Sequence, residues 1–242
     1  MPRRIFAGKT DIGLKRENNE DAFSLNPELD FCLAADGMGG AAAGEVASKI
    51  FAEAALEVFS GNTNRSEKEI LYRVNQAYSH ANQQILEHVA RHPDHQGMGC
   101  TAELLAFFDE GFILGHIGDS RTYRLRNGQL EQLTQDHTLV QQQLQEGLIS
   151  ADQMKHHPLR NLIFRAVGIK EELTIDLLKA KTSPQDLFLL CSDGLTDMIS
   201  DDQIQDILEA DIHINRKAEE LIETAKAAGG YDNITVVLAA VI

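Results

Sequence analysis

Four aspartates stand at the ends of predicted strands, each beside glycine, serine or asparagine. They are Asp36 before Gly37, Asp119 in Gly118-Asp-Ser-Arg121, Asp193 before Gly194, and Asp232 before Asn233. Three of them follow apolar runs and the fourth precedes one, so neighbouring strands would bring all four carboxylates into one shallow pocket. Carboxylates held that close repel one another, and divalent cations relieve the repulsion. Because all-oxygen ligation suits hard ions, the pattern predicts a magnesium or manganese site.

Each aspartate taken singly has a simpler interpretation as a turn former. Asp and Gly are common in turns, so one Asp-Gly pair indicates no more than a change of chain direction. The glycine after Asp36 has a further use, since it lets the backbone turn until the Gly37 carbonyl also faces an ion. Four such aspartates beside hydrophobic runs favour a metal centre over four unrelated turns.

The charge balance narrows the range of partners. The chain has 242 residues and a formal net charge of −15, from 37 acidic and 22 basic side chains. This balance repels phosphate backbones and anionic lipids, so we expect neither nucleic acid nor a membrane as a partner. It suits a protein that collects carboxylates around cations, although acidity that merely maintains solubility gives the same composition.

Cysteine usage and the start of the chain bear on the compartment. Three widely spaced cysteines, Cys32, Cys100 and Cys191, form neither a disulfide framework nor a zinc motif. Residues 1–10 are basic without a following apolar stretch, unlike a signal peptide. No run approaches the roughly 20 apolar residues of a membrane helix. We therefore expect a cytoplasmic protein with reduced cysteines.

Hydrophobic periodicity predicts the elements that must position these residues. Expected strands cover 3–7, 22–26, 30–35, 101–108, 112–117, 122–133, 173–178, 187–191 and 234–241, the sixth with a hairpin at Asn127-Gly128. Expected helices start at Gly44 and at Ser66, which forms a capping box with Glu69, and later cover 201–210 and 216–228. A polar, Gln-rich segment over about 136–168 is interpreted as a flap outside the core.

The order of these elements predicts the fold class. Two groups of strands, each with a helix pair, indicate an α+β fold: a four-layer α/β/β/α sandwich of two mainly antiparallel sheets flanked by helix pairs. We expect a single domain over residues 1–242, with the flap as an insertion.

An ordered series of motifs covers almost the whole chain. The motifs are Gly13-Leu-Lys-Arg-Glu-Asn-Asn-Glu-Asp21, Asp36-Gly-Met-Gly-Gly40 with Gly44-Glu45, Met98-Gly-Cys-Thr-Ala102, His116-Ile-Gly-Asp-Ser-Arg121, Asp136-His137, Cys191-Ser-Asp-Gly-Leu195 and Gly229-Gly-Tyr-Asp-Asn233. Together they resemble the PPM family, the metal-dependent protein phosphatases also called type 2C, in its short bacterial form. A lone Asp-Gly is weak evidence, whereas the series in this order is very specific.

The resemblance implies a role for each matched aspartate. Asp36 would bridge two manganese or magnesium ions. Asp193 and Asp232 would complete the first site, and the carbonyl of Gly37 would serve the second. Asp119, together with Asp193, would hold a third and weaker ion.

The resemblance also implies roles for residues around the ions. Arg16 would grip the substrate phosphate, where the alternative is an ordinary surface ion pair. Asn19, Asp21 and Asn233 would orient the ligands and the metal-bound water, where the alternative is a turn or cap.

The implied activity is that of a metal-dependent protein serine/threonine phosphatase in a single catalytic domain. A hydroxide that bridges the two metal ions would attack phosphorus directly, with Asp36, Asp193, Asp232 and Arg16 as the catalytic groups. The substrates would be phosphorylated serine/threonine proteins, the targets of a cognate serine/threonine kinase, and the enzyme would act as a monomer. No cysteine has an arginine six positions later, so the cysteine-phosphatase loop is absent.

Two positions depart from the family pattern. Ala41 stands where many bacterial members carry histidine, and Cys100 stands where threonine is usual. If that histidine protonates the leaving alkoxide, water or another group must do so here, and His137 is one candidate. The alternative for His137 is a structural or solvated histidine. Cys100 is interpreted as a packing substitution.

Other functional classes stay open at lower weight. A catalytically weak or non-catalytic PPM-like binding or sensing module would normally have lost metal aspartates, and all of them are present here. The net charge argues against a metal-dependent nuclease, and a small-molecule phosphoesterase remains an alternative. No EF-hand spacing is present. His88, His92 and His95 are interpreted as a solvated helix end rather than a zinc site.

Overall fold

Two antiparallel sheets form the middle of the protein. The computed structural model describes residues 3–39, 43–61 and 64–242, without the side chain of Lys155; Gly40 of the glycine-rich motif and Ala41 lie outside the described residues. The first sheet comprises, in spatial order, β1 (Arg4–Asp11), β11 (Ile234–Val241), β10 (Leu187–Cys191), β7 (Arg121–Arg126) and β8 (Gln129–Gln132). The second comprises β2 (Asp21–Asn26), β3 (Phe31–Met38), β5 (Ala102–Phe108), β6 (Gly111–Ile117) and β9 (Asp176–Lys181), with β4 (Gly99–Cys100) paired to β3.

Helices cover the outer face of each sheet and also form part of the segment over about 136–168. They are α1 (Ala43–Ser60), α2 (Glu67–Arg91), a 3-10 helix (Pro93–His95), α3 (Leu139–Gln145), α4 (Ala151–Lys155), α5 (Asp193–Thr196), α6 (Asp201–Glu209) and α7 (Ile214–Ala227). The side chain of Ser66 caps α2 by accepting the Glu69 N–H, which is one half of the predicted capping box. Ser150 and Ser200 form complete capping boxes on α4 and α6. None of the described helices is long and apolar enough to cross a bilayer.

Three apolar layers hold the sandwich together, and period-two alternation along the buried strands creates them. In β5, Leu104 packs under α1 and α2, whereas Leu105 faces the other sheet. In β10, Leu189 packs under α5 to α7, whereas Phe188 lies between the sheets with Phe107 and Phe112 in edge-on contact. The predicted four-layer α/β/β/α sandwich is therefore confirmed.

Most predicted elements occur, with differences at their boundaries. The expected strand 122–133 is split into β7 and β8 by Asn127-Gly128, both at positive φ, which confirms the predicted hairpin. The expected strand 173–178 is wrong in position: β9 is Asp176–Lys181, because pairing of Asp176 with His116 and of Lys181 with Gly111 sets its register at the sheet edge.

Three short elements were not anticipated from the sequence, and one helix starts earlier than expected. The unanticipated ones are β4, the 3-10 helix and α5, each too brief to leave a hydrophobic period. α7 begins at Ile214 rather than at 216, because His213 caps it by accepting the Asn215 N–H.

Replacement of Gly115 by alanine should destabilise the fold. A Cβ at Gly115 would lie 2.6 Å from Cε2 of Tyr78 and 2.9 Å from Cγ1 of Val74. The Tyr78 ring is not free to swing away, because its hydroxyl donates to the Ala102 carbonyl at 2.9 Å. We expect Gly115→Ala to cost about 1–3 kcal/mol of unfolding free energy in urea denaturation.

The matched control is Gly61→Ala, where an added Cβ meets nothing within 4 Å. Its unfolding free energy should stay within about 0.5 kcal/mol of wild type. Equal effects of the two substitutions would contradict the steric explanation.

Candidate active site

The four predicted aspartates converge on one cavity at the shared edge of the two sheets. Asp36 lies near the end of β3, Asp119 follows β6, Asp193 opens α5 after β10, and Asp232 precedes β11. All four line an open cavity of ≈ 520 Å³. The second sheet thus contributes Asp36 and Asp119, and the first contributes Asp193 and Asp232, so the site exists only where the two sheets meet.

The glycines next to these aspartates allow close backbone packing. A Cβ on Gly37 would lie 2.1 Å from the carbonyl oxygen of Gly44, and one on Gly194 would lie 2.0 Å from the carbonyl oxygen of Asn233. Neither Gly37 nor Gly194 has a positive φ. Gly37 was expected to serve a turn; in the structure its small size lets the start of α1 pack against the site.

Burial and mutual repulsion raise the proton affinity of the carboxylates. The pKa of Asp36 lies well above its usual range, because of burial first and then the charges of Asp21, Asp193, Asp119 and Asp232. The pKa of Asp193 is also raised well above normal, by burial and then by Asp119. A cavity in which buried carboxylates disfavour one another's ionised form attracts cations strongly.

Two more carboxyl groups, those of Asp21 and Asp119, have raised pKa values. Burial raises the pKa of Asp21 to about 6, and burial followed by the charge of Asp136 raises the pKa of Asp119 to about 7. Asp232 forms an ion pair with Arg16.

Unpaired oxygens at the site fit divalent ions as the missing partners. Oδ1 of Asp193 and Oδ1 of Asp21 are buried with no hydrogen-bond partner, an arrangement that costs free energy unless a cation or water satisfies them. Among the described residues, no three His, Cys, Asp or Glu side chains are grouped closely enough to hold an ion by themselves. Magnesium and manganese sites commonly retain several waters, so carboxylates together with the Gly37 carbonyl remain a suitable donor set.

Arg16 lies in the same cavity, but it is engaged with a predicted metal ligand. Its guanidinium NH2 donates to Oδ2 of Asp232 at 2.6 Å, and this hydrogen bond raises the pKa of Arg16. The Arg16 side chain is 51% exposed. The ion pair that the sequence left as the alternative for Arg16 is therefore present, at the cavity that the four aspartates line.

Asn233 shapes the loop that carries Arg16. Its Oδ1 accepts the Glu20 N–H at 2.8 Å, and its Nδ2 donates to the carbonyls of Ile12 and Asn18 at 3.0 and 2.9 Å. Asn233 thereby ties the loop after β1 to the start of β11. This places its contribution in the backbone around the cavity rather than in contact with a ligand.

Asn19 and Asp21 are positioned in a similar way. Asn19 donates to Oγ1 of Thr10 at 2.8 Å and accepts the Asp21 N–H at 3.1 Å. Asp21 pairs with Asp36 across β2 and β3, and its Oδ2 accepts a hydrogen bond from the Ser192 hydroxyl at 2.8 Å. Asp21 therefore links the second sheet to the residue that precedes Asp193.

Thr101 is a site residue that the sequence analysis did not single out, although it stands in the Met98–Ala102 motif. Its Oγ1 accepts the Asp36 N–H at 3.0 Å and lies 2.6 Å from Oγ of Ser120. Its own N–H donates to the Asp36 carbonyl at 2.8 Å. One threonine thus fixes the backbone at Asp36 and beside Asp119, a role that only the paired register of the sheets reveals.

The structure does not support His137 as a proton donor to a leaving group. The side chain is 6% exposed and does not line the cavity. Its Nδ1 accepts the Gly118 N–H at 3.1 Å, and its Nε2 faces Oδ2 of Asp176 at 3.2 Å. Cys100 is fully buried against α1, where its Sγ approaches the Ala47 carbonyl, which confirms a packing role.

The three histidines near the end of α2 differ from the predicted solvated helix end. His92 is exposed as expected, but His88 and His95 are half-buried, and Nε2 of His88 lies 3.0 Å from Nδ1 of His95. The rings of His88 and His92 stack at 4.5 Å. Among the described residues these histidines do not form a group of three ligands that could hold a metal ion.

A larger groove of ≈ 950 Å³ opens beside the acidic cavity and shares Asp119, Asn161 and Asp193 with it. One wall comes from the predicted flap, which folds into α3 and α4, and the other comes from α5 and the start of α6. The groove is large enough for several residues of an extended peptide next to the carboxylates.

The chain is similar over its length to bacterial phosphatases. The family described as protein phosphatase 2C matches residues 14–232. The serine/threonine protein phosphatase PstP of Mycobacterium tuberculosis is 40% identical over 238 residues, which are 98% of this chain and 45% of that protein, so the chain spans about half of that relative's length. The serine/threonine phosphatase stp of Listeria welshimeri is 35% identical over 234 residues, 95% of this chain and 93% of that protein.

A solved structure of a bacterial phosphatase has the same fold. The crystal structure of the catalytic domain of PstP in complex with two manganese ions superposes with a TM-score of 0.91 at 37% identity and covers 100% of both chains. That protein holds its ions in a fold that this chain reproduces from end to end.

Removal of one site carboxylate should stabilise the metal-free protein. The folded-state pKa of Asp119 is about 7, above the ordinary value of 3.8, so folding favours the protonated form. The contribution of Asp119 to stability is therefore most favourable below pH 4 and is lost as pH rises from about 4 to about 7, by at most about 4 kcal/mol. We expect Asp119→Asn to raise the melting temperature of chelator-treated protein at pH 8 by at least about 3 °C, and by less at pH 5.

The exposed Asp206 on α6 provides the control, and Asp206→Asn should change the melting temperature by less than about 1 °C. Magnesium or manganese should then stabilise wild type more than Asp119→Asn. A lower melting temperature for metal-free Asp119→Asn at pH 8 would mean that Asp119 is not held under repulsion.

Proposed function

The chain belongs to the protein phosphatase 2C family, and we propose that it hydrolyses phosphoserine and phosphothreonine in other proteins with manganese or magnesium ions. The observation that carries the proposal is the convergence of four aspartates from two sheets on one cavity, with a buried carboxylate oxygen of Asp193 left without a partner. Carboxylates gathered in this way are ligands for hard divalent ions. The two-manganese complex of the PstP catalytic domain supports the same chemistry.

The residues divide into ligands and supports. We propose Asp36 as the ligand shared by two ions, Asp193 and Asp232 as ligands of the first, and the Gly37 carbonyl as a ligand of the second. Asp119, which lies next to the groove, is proposed to hold a third and weaker ion together with Asp193. When bound, such ions lower the pKa of a water nucleophile and stabilise charge on phosphoryl oxygens.

Arg16 is proposed to bind the phosphate of the substrate. In the metal-free chain its guanidinium neutralises Asp232. Once a cation takes over that task, Arg16 is free to offer its planar fork to two phosphate oxygens. Its half-exposed position, on a loop that Asn233 fixes, allows the change of partner without rearrangement of the core.

The groove beside the cavity is proposed to receive the polypeptide that carries the phosphate. It starts at Asp119 and Asp193 and runs between the flap and α6, so a chain lying in it would present a phosphorylated side chain to the carboxylates. The flap therefore contributes to the choice of substrate.

The wider assignment follows from the same family. We propose that the substrates are targets of a cognate serine/threonine kinase and that the protein acts as a cytoplasmic monomer in which the described chain is one catalytic domain. The net charge of −15 disfavours nucleic acid and anionic membranes as partners. All predicted ligand aspartates lie in the cavity, so no observation favours the non-catalytic binding or sensing alternative.

Phosphate release from a phosphothreonine peptide tests the function. Chelator-treated protein should be inactive, and manganese should restore activity more fully than calcium, because the site offers few, hard oxygen donors. Asp193→Asn should lower kcat by at least about 100-fold, because it removes charge where cations bind. Asp206→Asn, remote from the cavity, is the control and should retain wild-type turnover. Full activity after rigorous chelation would refute the proposal.

Arg16→Ala should separate phosphate binding from metal binding. We expect KM for the phosphopeptide to rise about 10-fold, as for the loss of a charged hydrogen bond. Arg16→Lys keeps the charge without the fork and should fall between the alanine variant and wild type. Manganese affinity in calorimetry should not weaken in Arg16→Ala, because the substitution removes a competitor for Asp232. Weaker manganese binding with unchanged KM would assign Arg16 to the metal site instead.

A further inference from the structure

The turn that carries Asp119 connects the two sheets. β6 belongs to the second sheet and β7 to the first, and residues 118–120 make the crossing. Gly118 has φ +110°, and a Cβ there would lie 2.6 Å from Cβ of Thr101. On the far side, Oγ of Ser120 lies 2.6 Å from Oγ1 of Thr101. The Asp119 carboxylate can reach the cavity only while this short turn keeps its shape.

His137 forms two hydrogen bonds to the other side of the 118–120 turn. Its backbone N–H donates to the Gly118 carbonyl at 2.7 Å, and its side-chain Nδ1 accepts the Gly118 N–H at 3.1 Å. A ring nitrogen accepts a hydrogen bond only when it carries no proton. His137 must therefore be neutral with its hydrogen on Nε2, which lies 3.2 Å from Oδ2 of Asp176. Nη1 of Arg165 lies 3.3 Å from the same nitrogen, and because a guanidinium can only donate, Asp176 rather than Arg165 is the hydrogen-bond partner in this tautomer.

A second histidine, stacked on the first, is held in the opposite protonation state. The ring centroids of His116 and His137 are 4.6 Å apart. Nδ1 of His116 contacts the buried carboxylate of Glu103, and its Nε2 lies 2.9 Å from the Gln135 carbonyl. Both nitrogens thus face acceptors, and only the doubly protonated ring can donate to both. Thr122 donates its hydroxyl to the other oxygen of Glu103.

The electrostatics agree with this division of protons. Burial raises the pKa of Glu103, whereas the His116 charge and the hydrogen bonds from His116 and Thr122 favour its ionised form. Burial alone would lower the pKa of His116, but the Glu103 carboxylate raises it to about 9, so the geometry and the His116 shift both favour the ion pair. Burial, and then the charge of His116, lower the pKa of His137 to about 4. Asp176 opposes the second shift, and Arg165, whose Nη1 lies 3.3 Å from Nε2 of His137, adds to it.

We propose that His137 is a positioning residue for the Asp119 turn, and that the buried Glu103–His116 ion pair locks it as the neutral Nε2–H tautomer that accepts the Gly118 N–H. Its bearing on catalysis depends on the proposed phosphatase function, whereas its protonation state does not. His137 touches neither substrate nor ion in this assignment. It acts through the backbone of Gly118 on the direction of the Asp119 carboxylate.

The first experiment reads the tautomers directly. The full chain, labelled with ¹⁵N at histidine and loaded with magnesium, is studied by NMR of the ring nitrogens at pH 7. His116→Asn and His137→Asn spectra assign the two rings among the 9 histidines. We expect a neutral Nε2–H ring for His137 and a doubly protonated ring for His116. A His137 ring protonated at Nδ1 overturns the proposal.

Two substitutions of His137 distinguish the loss of its hydrogen-bond acceptor from a change in side-chain size. In His137→Asn the amide oxygen can occupy the position of Nδ1 and accept the Gly118 N–H, whereas in His137→Gln the amide extends toward the position of Nε2. We expect His137→Gln to weaken the weakest magnesium or manganese binding step by about 10- to 100-fold, as for other residues that orient ligands, and His137→Asn to stay within about 3-fold of wild type. Equal losses in both variants overturn the positioning role.

Glu103→Gln tests whether the Glu103–His116 ion pair holds His137 in its neutral tautomer. The amide keeps hydrogen bonds to His116 and Thr122 but removes the charge that maintains the imidazolium. We expect the His116 ring to become neutral at pH 7 and the NMR titration midpoint of His137 to move upward. An unchanged titration midpoint of His137 would contradict the claim that the Glu103–His116 ion pair keeps His137 neutral.

These readouts do not require turnover. If the tautomers and the Asn/Gln contrast are found and phosphopeptides are not hydrolysed, the proposed function fails alone. If phosphopeptides are hydrolysed and the two variants bind metal equally, the positioning inference fails alone.

Discussion

Repulsion among carboxylates at the joined edge of two sheets is the constraint on which the rest of the structure depends. Burial raises the pKa of Asp36 and Asp193 well above normal, and leaves Oδ1 of Asp193 unpaired. Such an arrangement destabilises the metal-free fold and persists only because three apolar layers hold the strands that carry it. The same repulsion makes the cavity a strong attractor for cations.

The negative charge of the cavity also bears on the order in which metal ions and a phosphate would bind. Among the described residues that line the cavity, Arg16 is the one cation, and it is already paired with Asp232. Bound divalent ions would reverse the negative charge that an approaching phosphate meets. The proposed role of Arg16 therefore requires the metal ions to bind before the substrate.

Geometry at the site is set mainly by backbone contacts. Gly37 and Gly194 bring neighbouring main chains to distances that no side chain would allow, and Thr101 ties Asp36 to the turn at Asp119. Polar residues buried behind the cavity, such as His137, act on the same backbone. Backbone contacts and hydrogen bonds from neighbouring side chains thus fix where the carboxylates of the cavity lie.

The sequence by itself determined the four-layer class and the convergence of its aspartates, because alternating apolar residues and strand-end Asp-Gly pairs are local patterns. Local patterns could not supply the sheet register that placed β9 at Asp176–Lys181, since pairing with a distant strand decides it. They also left open the partner of Arg16 and the role of His137. Only the tertiary structure brought Asp232 to Arg16 and Gly118 to His137, because these contacts join residues 216 and 19 positions apart across the meeting of two sheets.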